Sequence, residues 1–278
     1  MSLDSSKQTR RQNAPKAGAA TPLHILAIHA HPDDVEFQCA GTLALLAAAG
    51  HEISIVTMTA GDCGSRELGP EVIARIRRQE ALDSAELIGA SYGCLEFADL
   101  SIVVDNDSKR RVTETIRHHR PDVVLTAPPA DYMDDHEATS RLVRDGCFNA
   151  SCPNYATRQW DPAVATEKIP HLIYMDPIEG TDTWGAPVEP QFYVDITNTF
   201  ETKRKMLTCH KSQREWLKSQ HGVDEYLDSQ RRWSEQRGAE VGVGMAEAFR
   251  QHLGHAYPAD NILAELLPGR VKVRFSGE

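Results

Sequence analysis

Paired cysteines, long apolar runs and an excess of basic charge are all missing from this 278-residue chain. The six cysteines (Cys39, Cys63, Cys94, Cys147, Cys152 and Cys209) contain no Cys-x-x-Cys pair, which argues against a disulfide framework and against a zinc–thiolate site. No apolar run approaches the length of a membrane span; the longest, Ala40 to Gly50, is small-residue rich and suits one packed helix. The 30 basic residues are outweighed by 40 acidic ones, a formal net charge of -10, so neither nucleic acid nor an anionic membrane surface is favoured as a partner. Lys7, Arg10, Arg11 and Lys16 lie in the N-terminal tail, which leaves the rest more acidic still. Residues 1–21 have scarcely a large apolar side chain and no apolar stretch of the kind a signal peptide needs. They read as a disordered arm ahead of a cytoplasmic protein. Internal repeats and low-complexity segments are absent as well.

The remaining residues, 22–278, read as one α/β domain. The run Leu23–Ala30 stops at His31-Pro32-Asp33-Asp34 and is followed by an Ala/Leu-rich helical segment, the pattern of a strand, a loop and a helix. Glu52 to Met58 alternates as a second strand. A helix is expected over 70–88, with Pro70 at its start and Gly89 past its end. Leu95 to Ile102 is a weak strand-and-loop region, 108–119 a helix, 122–126 a buried strand and 136–149 a helix. Strands that alternate with helices predict parallel βαβ units with right-handed crossovers, a Rossmann-like, mainly parallel sheet flanked by helices. Beyond residue 150 the pattern is less regular: loops around one strand at His171–Met175, a strand at Phe192–Ile196, a helix over 198–219 and a charged surface helix over 224–237.

The loop after the first strand lies where open α/β sheets bind ligands. It holds one imidazole and two carboxylates within four residues, a set that suits a divalent metal better than a phosphate. A catalytic zinc takes three His or carboxylate ligands and leaves a position for water. His31 and Asp34 can supply two from one turn. The best third donor is His136, because Asp131 to His136 also follows a buried strand and opens a helix. A carboxylate beside such a metal can accept a proton from water and return it to a leaving amine. The pair Asp33-Asp34 therefore divides into a base and a ligand, although spacing alone does not say which is which.

At these residues the chain resembles the PIG-L/LmbE-like family of metal-dependent N-acetylglucosaminyl de-N-acetylases. The resemblance rests on His31-Pro32-Asp33-Asp34 with its strand, on Ala40-Gly41-Thr42-Leu43 and on Asp131 to His136. Arg77 with Glu80, and His210-Lys211-Ser212-Gln213, extend it from Leu23 to about His210. It implies Zn2+ held by His31, Asp34 and His136, Asp33 as general base and then acid, and Arg77 as a substrate contact. The implied substrate is a small molecule with an N-acetyl group, typically on glucosamine. One position departs from the pattern. Many members carry His-Pro-Asp-His where this chain has Met133-Asp134-Asp135-His136, and a thioether supplies neither charge nor a strong hydrogen bond. His29 and His210 are the candidates to compensate.

Blander roles stand beside these. Asp135 either orients a ligand histidine or is an acidic residue favoured at a helix start. Arg77 lies in a charge run, and such runs are usually solvated faces. His210 is equally a residue favoured near a helix C-terminus. Tyr155, Trp160 and Trp184 either pack under loops or stack on a sugar. The Gly61-Asp62-Cys63-Gly64 loop lacks Gly-x-Gly-x-x-Gly, which disfavours a dinucleotide site. A metal-dependent amidase on a non-sugar amide and a catalytically impaired sugar-binding protein are the rival functions. A homo-oligomer is compatible with all of them.

Overall fold

Beyond its first residue, β1 (His24–His29) is buried on both faces, as a strand in the middle of a helix-covered parallel sheet must be. The computed structural model describes residues 21–157, 163–214 and 225–273. The expected arm over 1–21 lies outside them apart from its last residue, as do Trp160 and the end of the helix expected over 198–219.

Five parallel strands run in the order β3-β2-β1-β4-β5: β2 (Glu52–Thr59), β3 (Ser91–Phe97), β4 (Val123–Thr126) and β5 (His171–Met175) around β1. Three antiparallel strands extend the β5 edge as β7-β6-β8: β6 (Phe192–Asp195), β7 (Ala246–Gln251) and β8 (Val271–Lys272). The fold is thus a mixed, mainly parallel Rossmann-like sheet flanked by helices. Side chains alternate between two cores. Ile25, Ala27, Ile53, Ile55, Val123 and Leu125 face α1 (Asp34–Gln38), α2 (Ala40–Ala48), α3 (Pro70–Glu86) and α6 (Phe200–Thr208). Leu26, Ile28, Val56, Met58 and Val124 face α4 (Asn106–His119) and α5 (Asp134–Ala150).

From β1 the chain steps to β2 on one side, while β4 pairs on the other. The carboxyl ends of β1 and β4 therefore flank the crevice where the strand order reverses, the usual ligand position in such sheets. The loops expected to converge leave these two neighbouring strands.

Three elements differ from expectation. The third strand begins at Ser91, earlier than its weak apolar signal, because as an edge strand with Gly93 it is only half-buried. β7 carries Glu247, a residue the pattern reads as non-strand. Its buried carboxylate accepts the Gly41 and Thr42 amides at 2.8 and 2.7 Å and lies 2.7 Å from Lys203 Nζ. Fully satisfied in this way, a charge sits inside the sheet at little cost. The charged helix α7 (Glu225–Ala239) is also not merely a surface element, since Leu227, Gln230, Ser234 and Arg237 are buried. No helix among the described residues is long and apolar enough to cross a membrane. All six cysteines are free; Cys39 and Cys147 are buried, whereas Cys63 is exposed.

Candidate metal and catalytic centre

After β1 the chain turns sharply through Pro32 and Asp33, and α1 begins at Asp34. Asp33 has φ 105° and ψ -25°, a left-handed conformation that costs a non-glycine residue energy. The turn closes on itself through the His31 N–H, which donates to Asp34 Oδ2 at 2.8 Å. Across the crevice, Met133 caps α5 and places Asp135 and His136 in its first turn.

The two loops meet at Asp34 Oδ2. His31 Nδ1 lies 3.2 Å from it and His136 Nε2 3.5 Å, so the three expected ligands are brought together. Each histidine turns its other nitrogen to a carboxylate. His136 Nδ1 lies 3.2 Å from Asp131 Oδ1, and His31 Nε2 lies 3.1 Å from Asp135 Oδ2 and 3.0 Å from Asp99 Oδ1. Asp135 is itself fixed by the Leu100 and Ile102 amides at 2.9 and 3.2 Å. An imidazole backed by a carboxylate presents its opposite nitrogen in a defined orientation, the usual environment of a metal-binding histidine. Both ring nitrogens of His136 are buried without a hydrogen-bond partner among the described residues, Asp131 lying within ion-pair distance of Nδ1.

His29 joins this cluster, its Nδ1 2.7 Å from Asp34 Oδ2. The same nitrogen lies 2.8 Å from the Ala30 amide nitrogen. The electrostatics are those of a site short of positive charge. Burial opposes protonation of His31, yet Asp135, Asp34 and Asp99 hold its pKa well above the ordinary value. Burial pushes Asp34 up, but His29 and His136 hold it well below the usual carboxylate range.

The chain as a whole is similar to known proteins. A family model described as PIG-L, GlcNAc-PI de-N-acetylase, matches residues 26–147. The uncharacterized deacetylase YaiS of Escherichia coli is 33% identical over 196 residues, which cover 68% of this chain and 90% of that protein. The chain belongs to the PIG-L family. A 4-oxalmesaconate hydratase of Pseudomonas putida is 24% identical over 216 residues, 74% of this chain and 78% of its own length. In three dimensions the chain resembles the N,N'-diacetylchitobiose deacetylase of Pyrococcus horikoshii, with a TM-score of 0.73 and 25% identity over 87% of this chain and 89% of that one. The chain is therefore an enzyme of a de-N-acetylase family, one that also has a relative named as a hydratase.

The remaining PIG-L positions are placed unequally. Asp33 faces a cavity of about 780 Å³ lined also by His31, Asp34, His136, Arg77 and Met133. Arg77 is buried to 3% exposure, and its groups serve the chain itself. Nη2 donates to Pro32 O at 2.7 Å and lies 3.4 Å from Asp33 Oδ1, while Nη1 donates to Gly61 O at 3.4 Å. A Cβ at Gly61 (φ 68°) or at Gly64 would collide with this guanidinium. The glycines of that loop thus make room for Arg77. His210, a candidate for substrate contact and for the donor missing at Met133, does not line the cavity: it is fully buried with Nε2 3.1 Å from Glu36 Oε1. Buried behind Asp34 and edge-on to His136, His29 is equally unable to replace a donor at Met133. Trp184 is 88% exposed, so it does not pack under a loop.

Two site residues carried no sequence signal. Asp99, after β3, backs His31. Tyr226, on α7, donates its hydroxyl to Asp33 Oδ2 at 2.6 Å. Burial and Asp33 push the Tyr226 pKa well above its ordinary value, so the hydroxyl stays a donor. Burial raises the Asp33 pKa, with Arg77 acting against it.

Proposed function

We propose that this enzyme is a zinc-dependent hydrolase that removes the acetyl group from an N-acetylated sugar or sugar conjugate. The reading is carried by the separation of the two neighbouring carboxylates. Asp34 points at the histidines, while both oxygens of Asp33 are turned away from them, Oδ1 to Arg77 and Oδ2 to Tyr226. Two imidazoles and one carboxylate with carboxylate-backed rings fit a divalent cation, and His31, Asp34 and His136 would hold it. Such an ion lowers the pKa of water toward neutrality and polarises an amide carbonyl. Asp33 takes the proton of the attacking water as the C–O bond forms, then delivers it to the amine nitrogen as the C–N bond breaks. Acetate and a free amine leave. Its raised pKa suits a carboxylate that must keep a proton between these two steps. Arg77 and Tyr226 hold Asp33 in its left-handed turn while it does so.

The cavity chemistry favours an amide of a neutral sugar over hydration of a polycarboxylate. Asp33, Asp34, Asp99, Glu179 and Glu225 line it against Arg77 and Arg232. Amine release from N-acetylglucosaminides and from simple N-acetyl amines tests the reading. Release from the simple amines alone selects a non-sugar amidase, and release from neither, with metal bound, leaves a binding protein.

Two further outcomes are expected. His31→Gln loses bound metal, whereas His29→Gln keeps it, because His29 lies outside the cavity that His31, Asp34 and His136 line; metal analysis of the purified variants reads this directly. Met133→His places a donor at the cavity wall and raises kcat, by up to ~10²-fold if it reaches the developing oxyanion. An unchanged kcat would mean that position 133 does not face the oxyanion.

A further inference from the structure

Of the His210-Lys211-Ser212-Gln213 motif, His210 and Ser212 take no part in the chemistry above, yet both are firmly anchored. His210 Nε2 lies 3.1 Å from Glu36 Oε1, and both side chains are buried. Ser212 donates its N–H and its hydroxyl to Glu80 Oε1 and Oε2 at 2.9 and 2.6 Å. Glu80 stands one helical turn beyond Arg77 on α3.

Glu36 is where these anchors meet the reactive turn. It lies in α1 just after Asp33, and the next residue, Phe37, donates its N–H to Asp33 O at 2.9 Å. Glu36 Oε1 accepts the Ser84 hydroxyl of α3 at 2.7 Å, and its main-chain O accepts Gln230 Nε2 of α7 at 3.1 Å. Gln230 follows Tyr226 by one turn, on the same helical face. The two partners of Asp33, Arg77 on α3 and Tyr226 on α7, therefore ride on the two helices that Glu36 ties to α1. A buried ion pair is weak evidence of stabilisation, because apolar side chains of similar volume often serve as well or better. What they cannot do is hold three neighbours in fixed directions. Burial opposes a charge on His210, yet Glu36 raises its pKa above the ordinary value. Without that imidazolium, Glu36 would be a buried carboxylate lacking its countercharge, a costly state.

We propose that His210 and Glu36 are positioning residues for the reaction: their buried pair binds α1, α3 and α7 together so that Arg77 and Tyr226 keep Asp33 aimed at the substrate. The inference rests on the reading of Asp33 as the proton-transfer group and supplies the reason for its alignment. Neither His210 nor Glu36 lines the cavity, so both act through Asp33 rather than on the substrate.

The test is a double-mutant cycle on the metal-loaded enzyme, read as amine release from N-acetylglucosaminides. His210→Leu should lower kcat roughly 10–10²-fold, the effect of misplacing a reacting group by about 1 Å, with KM and metal content retained. His210→Gln can still place an N–H toward Glu36 and should recover most of kcat. In an Asp33→Asn background His210→Leu should cost no more than about twofold, because the group it acts through is gone. Glu36→Gln, isosteric and still an acceptor for Ser84, repeats the cycle from the other partner if His210→Leu does not fold. An unchanged kcat, an equal loss in both backgrounds, loss of metal or no recovery in His210→Gln would overturn the positioning role. A crystal structure of His210→Leu, or of Glu36→Gln in its place, reads the same claim without a substrate. The 2.6 Å contact of Tyr226 with Asp33 should be broken there, and its survival would overturn the proposal. No amine release from any sugar by the wild type would instead overturn the deacetylation reading.

Discussion

Asp33→Asn lowers kcat by roughly 10²–10⁴-fold, the range expected when a general acid–base is removed. The change is nearly isosteric, so the turn should persist. The carbonyl of the new side-chain amide can still accept the Tyr226 hydroxyl that Asp33 accepts at 2.6 Å. What is lost is a group that takes a proton from water and gives it to the amine. KM should move little, because Asp33 is engaged by Arg77 and Tyr226 and its part is the proton transfer. A kcat within a few-fold of wild type would remove Asp33 from the mechanism and turn attention to another group of the cavity.

Removal of the metal has the second large effect. A ligand that binds only the folded state stabilises it by about 4.1 kcal/mol when present at roughly 1,000 times its Kd. For a chain of this size each kcal/mol moves Tm by about 2–4 °C. Chelation should therefore lower Tm by roughly 8–16 °C and abolish turnover, and added Zn2+ should restore both. The structural reason lies in the cluster: Asp34, Asp99, Asp131 and Asp135 gather around the imidazoles, and without a cation they are balanced by His31 and His136, whose pKa values these carboxylates raise against burial. Differential scanning calorimetry with and without chelator reads the shift. An unchanged Tm together with unchanged activity would separate this enzyme from metal chemistry.

How far the site was legible depended on the kind of signal each residue gives. His31, Asp33 and Asp34 stood out because an apolar run ends on them, and a sheet edge is where such a run must end. His136 was legible by the same logic on the neighbouring strand. The role of Arg77 was not, because a buried arginine that holds a main-chain carbonyl looks in sequence like any member of a charged helix. Its partners Gly61 and Gly64 lie in a loop whose sequence only disfavours a dinucleotide site, and the packing shows that they clear space for a guanidinium. Tyr226 was invisible for a related reason: α7 is charged enough to read as a solvated face, yet Gln230, Ser234 and Arg237 are buried through hydrogen bonds to Glu36 O, Gln230 O and Asp176. β7 was hidden by Glu247, whose satisfaction comes from α2 and α6, far away in sequence. Periodicity reports apolar burial. It is silent about polar groups buried by long-range pairing, and this chain places several of those around its site.

The division of labour between two adjacent carboxylates is the centre of the account, and metal content of Asp33→Asn and Asp34→Asn, measured side by side, tests it most directly. Both changes are isosteric, both lie in one turn, and they are separated by a single peptide bond. Asp33→Asn is expected to keep one equivalent of divalent metal per chain, as in the wild type, while Asp34→Asn loses most of it. Equal retention in the two variants, or loss from Asp33→Asn alone, would contradict the assignment of Asp34 to the metal and Asp33 to the proton.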